Sequence, residues 1–94
     1  MEEISFEEYK GKGGNPMVAV ASDERTFFEL GEDRFGAFAR YDEDGVIRYR
    51  ASLLTRSSEE HSHRTNASKH AEVTRESGQE RAKEKVMDWL ESQE

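Results

Sequence analysis

Between Phe35 and Leu54, two runs of alternating apolar and polar residues flank the acidic, glycine-bearing stretch Asp42-Glu43-Asp44-Gly45. A period of two on both sides of an Asp-Gly pair is the local pattern of a β-hairpin. No other segment constrains the fold as much, because a strand's alternation decides which side chains can share a face. A two-residue turn at Asp44-Gly45 puts Phe38 on one face with Ile47, Tyr49, Ala51 and Leu53. The opposite face then carries Ala37, Ala39, Tyr41, Val46, Arg48 and Arg50. A three-residue turn with Gly45 in the left-handed conformation shifts the pairing by one residue. In either register Ile47, Tyr49, Ala51 and Leu53 stay together and form the better core face. Arg48 and Arg50 also stay together, whereas the face taken by Arg40 depends on the turn.

The hairpin lies in the apolar half of the chain. Eight of the nine aromatic residues precede residue 50, and Val73 is the only large aliphatic side chain between Thr55 and Gln79. Leu, Ile, Val and Phe together number 16 of 94 residues. A level below about a fifth would leave a chain short of core if those residues were evenly spread. Their clustering predicts one small domain over residues 1–94. It divides into a strand-rich core at 1–54, a polar segment at 55–76 that is either mobile or an edge strand, and a C-terminal helix at 77–92.

Ahead of the hairpin, Ile4-Ser-Phe-Glu-Glu-Tyr9 reads as a first strand and Lys10 to Pro16 as a glycine-rich loop. Met17-Val-Ala-Val-Ala21 reads as a short buried strand, and Thr26-Phe-Phe-Glu-Leu30 as a further β-prone run before the turn at Gly31-Glu-Asp33. Beyond the hairpin, Lys69 to Arg75 reads as an edge strand. Alternatively, the small residues Ala67, Ala71, Gly78 and Ala82 mark one long helix from about Asn66. Ser77-Gly-Gln-Glu80 has the form of a capping box and favours a new helix starting there. Ala82, Val86, Trp89 and Leu90 recur at helical spacing, so this helix should dock on the Ile47, Tyr49 and Leu53 face. The expected fold class is α+β: an antiparallel β-meander of four to five short strands with one C-terminal helix packed on one face.

Charge narrows the function. With 21 acidic against 14 basic residues the net charge is −7, which opposes broad binding to nucleic-acid phosphates. The chain has no cysteine, so thiol chemistry and thiolate metal sites are excluded. It shows no basic-then-apolar leader pattern and no stretch long enough to span a bilayer, so a cytoplasmic location and no membrane partner are expected.

Two clusters could carry chemistry. Arg40, Arg48 and Arg50, interleaved with Tyr41, offer sheet-borne cations and an aromatic ring of the kind that pairs with phosphates and stacks on bases. The plainer account is a solvated face whose arginines pair with neighbouring glutamates. His61, His63 and His70 fall within ten residues. On a strand, His61 and His63 would point to one side, with Glu59, Glu60 or Glu72 completing a zinc-like set. That spacing is not diagnostic, and a solvated polar linker is the better account of it. Gly11-Lys-Gly-Gly14 lacks the spacing of a phosphate loop. No nucleophile stands beside a plausible base, and no cofactor is implied. The chain therefore reads as a non-catalytic interaction domain acting through protein contacts or homodimerisation at its sheet. The alternatives are nucleic-acid or anion binding through the hairpin arginines and metal binding through the histidines.

Overall fold

The computed structural model describes residues 1–56, 63–74 and 78–94, with residues 56, 63–70 and 72–74 described by their backbone. The architecture is α+β. Five antiparallel strands follow one another in the order of the sequence: β1 (Glu2–Ile4), β2 (Glu24–Gly31), β3 (Arg34–Glu43), β4 (Val46–Arg56) and β5 (His63–Thr74). A short helix α1 (Phe6–Gly11) follows β1, and helix α2 (Gln79–Glu91) ends the fold. Neither helix is long and apolar enough to cross a membrane.

The hairpin closes through the two-residue turn. Glu43 pairs with Val46 and Phe38 with Ala51, while Asp44 and Gly45 both take positive φ, 50° and 80°. Two left-handed residues in succession give the turn whose twist matches that of the flanking strands. Pairing then continues outward: Phe38 faces Thr26 on β2, and Tyr49 faces Ala71 on β5. The polar segment read as mobile or edge strand contributes β5. Residues 57–62 of that segment, and 75–77, lie outside the described residues.

On one face of the sheet, α2 buries Ala82, Val86 and Leu90 against Phe28, Phe38, Ile47, Tyr49 and Ala51. Trp89, expected as a main anchor, is only partly buried at the margin of this cluster. The helix starts at Gln79 with Gly78 as its cap, in the left-handed conformation and without a side-chain hydrogen bond. The expected capping box on Ser77 lies outside the described residues.

The opposite face holds a second core, built by a segment the sequence reading placed wrongly. Ile4 to Tyr9 is not one strand. The chain leaves β1 at Ile4, Ser5 caps α1 by accepting a hydrogen bond from the Glu8 N–H at 3.0 Å, and Glu7 and Glu8 occupy the first turn. Carboxylates there oppose the positive end of the helix favourably. The helix stacks Phe6 and Tyr9 on Phe27, with ring centroids 5.5 and 4.2 Å apart. Tyr9, Phe27, Phe35, Ala37 and Leu54 form this second cluster, with Ile4 at its edge.

Met17–Ala21 is likewise not a buried strand. It is a succession of turns, with Met17 66% and Val20 56% exposed. Asn15 starts them: its carbonyl accepts from Val18 N–H at 3.2 Å and its Oδ1 from Met17 N–H at 3.0 Å. Asn and Pro in tandem favour such a turn over a ladder. The outer edge of β2 is also already taken by β1, with Ile4 opposite Phe27. As a result β3 is covered from both sides, and Phe35 to Ala39 are all buried.

Candidate binding face

Register places the hairpin side chains. Arg48 and Arg50 share with Tyr41 the face on which α1 lies, whereas Arg40 stands opposite Tyr49 on the α2 face. There Arg40 pairs with Asp42 at 3.6 Å. A hydrogen bond to Tyr49, together with the carboxylates of Asp42 and Glu24, holds its guanidinium above the usual range. Arg40 is thus removed from the surface that the other two arginines share, and Tyr49 is in the core.

The helix α1 and the loop after it cover β2 and the Phe35–Ala37 part of β3 and reach Leu54 of β4, but leave Arg48 exposed and Arg50 partly so. The loop is held by Arg25 on β2, a residue the sequence reading did not single out. Arg25 Nη1 donates to the carbonyls of Pro16 and Val18, each at 3.2 Å, and its guanidinium lies 4.2 Å from the Phe6 ring centroid. Planar stacking combined with forked donation is what a guanidinium can do and an ammonium cannot. At the loop's far end, Asp23 extends the ladder: its N–H donates to the Arg40 carbonyl at 2.8 Å, and its carboxylate accepts from the Asp42 N–H at 2.7 Å.

Between the pinned loop and β4 runs a cleft of about 170 Å³, lined by Met17, Val18, Ala19, Ala37, Ala39, Arg50 and Ser52. Its floor exists because β3 carries only methyl groups here, at Ala37 and Ala39. Arg50 is opposite Ala39 in register, and Ser52 is opposite Ala37. Ser52 is the buried polar residue of the described core, and Arg50 Nε is a buried donor without a hydrogen-bond partner among the described residues. Ala19, on the cleft wall, has a positive φ of 57°, a conformation that costs a non-glycine residue about 1 kcal/mol or more.

A second concavity, of about 270 Å³, lies at the hairpin tip and is lined by Tyr41, Glu43, Asp44, Val46 and Arg48. Its electrostatics are different. Two carboxylates accompany the single guanidinium, so the site is not cationic. The three arginines that sequence alone grouped together therefore occupy three separate settings, and the Arg50 cleft is the one with no carboxylate among its described lining residues.

Compared with protein-family models, with curated proteins and with solved structures, the chain matches none.

The histidines are placed less fully. His63 and His70 stand on β5 opposite Arg56 and Arg50 in register. His61 lies outside the described residues. Among the described residues no group of three or more His, Asp or Glu side chains is arranged to hold a metal ion. The cleft was not legible because its walls come from a loop and a strand some thirty residues apart in sequence. One signal did point to it: the Ala37-Phe38-Ala39 alternation leaves only methyl groups on one face of a central strand.

Proposed function

We propose that this chain is a non-catalytic interaction domain that binds a protein partner on the part of the sheet face α1 leaves open. One observation carries the reading. Of the four exposed large apolar residues among those described, Met17, Val20 and Val46 lie on the loop and hairpin tip that bound this face, at 66%, 56% and 42% exposure. Single exposed apolar side chains need no explanation, but grouped around an open face they are what an interface presents. Tyr41, Arg48 and Arg50 on the same face belong to the residue types enriched at the centres of protein interfaces.

Nucleic-acid binding through the hairpin arginines is the lesser reading. Such binding draws on a continuous cationic track. Here Arg40 is on the other face, and Arg48 shares its concavity with Glu43 and Asp44.

The test is affinity capture with the wild-type chain and a folded Met17→Glu, Val20→Glu variant, followed by identification of what is retained. A protein held by the wild type and lost from the variant is the expected result. Equal capture by both would overturn the assignment of this face. Salt-sensitive binding to a single-stranded oligonucleotide that disappears in an Arg48→Glu, Arg50→Glu variant would transfer the conclusion to the nucleic-acid reading.

A further inference from the structure

We infer that the cleft between the Met17–Ala19 loop and β4 is a receptor for the C-terminal carboxylate of a polypeptide partner, held by the Arg50 guanidinium. The inference rests on the protein-partner reading above and specifies which part of the partner enters.

Size is the first constraint. Pockets that enclose a whole small molecule usually measure roughly 300–1,000 Å³, and this cleft holds about 170 Å³. It therefore takes one group of a larger partner. Charge is the second. Among the described residues Arg50 is the only ionisable side chain in the lining, and its guanidinium can neutralise one negative charge. Arg25, two strands away in the same register row, is occupied by the Pro16 and Val18 carbonyls and by the Phe6 ring. A single guanidinium, with no second cation among the described lining residues, suits a carboxylate better than a phosphate dianion. The fork of N–H groups also matches carboxylate geometry.

Hydrogen-bond capacity is the third. Arg50 Nε is buried with no partner among the described residues, and a buried donor left unmet is costly until an acceptor reaches it. Side-on pairing through Nε and one Nη would satisfy it. Apolar surface is the fourth. Ala37, Ala39, Met17 and Val18 place methyl and thioether surface directly beside the cation. A chain end carries its carboxylate and a small apolar side chain on one carbon, whereas an Asp or Glu side chain carries its carboxylate at the tip of its own stem. The juxtaposition in the cleft fits the chain end. Ala19 in the left-handed region is consistent with a wall shaped for occupancy, since strain of this kind concentrates at ligand-binding loops.

The experiment is an amide-resolved NMR titration of the full chain with four probes. They are N-acetyl-Gly-Ala-Val bearing a free carboxylate, the same peptide C-terminally amidated, N-acetyl-Gly-Glu-Ala-amide, and inorganic phosphate. The free-carboxylate peptide should produce saturable shifts at Ala37, Ala39, Arg50 and Ser52, and amidation should weaken binding about ten- to a hundredfold. Arg50→Gln should give a comparable loss. Ala39→Leu, which fills the floor and leaves Arg50 in place, should also block binding, so two variants with different risks to folding report on one site. Equal binding of the amidated peptide, of the internal Glu peptide or of phosphate would overturn the inference, as would no response to any probe. Loss of this site with retention of a partner through Met17 and Val20 would refute the carboxylate receptor alone. Loss of both would refute the interaction face.

Discussion

Leu90 of α2 closes directly over Gly36 of β3: a Cβ placed on Gly36 would stand 2.9 Å from Leu90 Cδ1, and Leu90 is fully buried. The helix sits this close to the sheet because β3 offers bare backbone beneath it. Gly36→Ala should therefore destabilise the fold by about 1–3 kcal/mol, the usual cost of overpacking, despite the conformational entropy that Ala would save. Combining it with Leu90→Ala should recover part of that loss. Urea denaturation of the two single variants and the double variant measures the coupling.

The same contact ranks the residues of α2. Leu90→Ala should cost about 2–5 kcal/mol, the range for a buried large-to-small change. Trp89→Ala should cost less, although it removes more atoms, because Trp89 is only partly buried at the cluster's edge. A thermal-melt comparison in which Trp89→Ala proved the more damaging would contradict this packing.

The second core predicts a response to alkaline pH. Burial pushes the Tyr9 phenol from its ordinary 10.0 up to about 12, against a smaller opposing effect of the Arg25 charge. The neutral form is thus favoured in the folded state. The associated stability is fully present below about pH 10 and is lost as the pH rises towards about 12. Stability measured by urea denaturation should fall across that window. Tyr9→Phe should flatten the fall, leaving the smaller part due to Lys12, whose ammonium is raised above its usual range by its hydrogen bond to Glu29.

Arg25 predicts a local effect. Arg25→Ala should cost about 1–2 kcal/mol and should raise amide hydrogen exchange selectively in the turns that follow Asn15. Arg25→Lys should not restore protection, because an ammonium cannot stack on Phe6 and also reach both carbonyls. Uniform acceleration across the sheet would show that the residue supports the whole fold and not the loop.

What could be read in advance follows from the range of the interactions. The β3–β4 hairpin, its core face at Ile47, Tyr49 and Ala51, and the shared face of Arg48 and Arg50 were legible because strand alternation is local; Leu53, expected under α2, is only partly buried and outside its cluster, while Leu54 is buried on the other face. The stripe on α2 was legible for the same reason, at helical period. Helix α1 was missed although Ser5-Phe-Glu-Glu8 has the form of a capping box. Ile4 and Phe6 also satisfy strand alternation, and one turn of helix is too short for a period to appear. Met17–Ala21 misled because an apolar run records burial tendency and says nothing of whether a strand edge is available to pair with. The cleft around Arg50 depends on Arg25, Pro16 and Val18 meeting across the sheet, and no local pattern carries such a meeting.

The strand order has a kinetic consequence. Each strand of the sheet pairs with its neighbour in sequence, and the β2–β3 and β3–β4 connections are both two residues long, Glu32-Asp33 and Asp44-Gly45. Closing a short loop before a long one keeps the entropic cost of each step small. Assembly can therefore zip outward from the two turns that flank β3, and a chain dominated by such near-neighbour pairings belongs with the faster-folding β-containing domains. The late step is the docking of Leu90 over Gly36, which joins residues far apart in sequence. Leu90→Ala should accordingly speed unfolding while leaving the folding rate nearly unchanged, whereas replacing Gly45 with a residue that resists positive φ should slow folding itself.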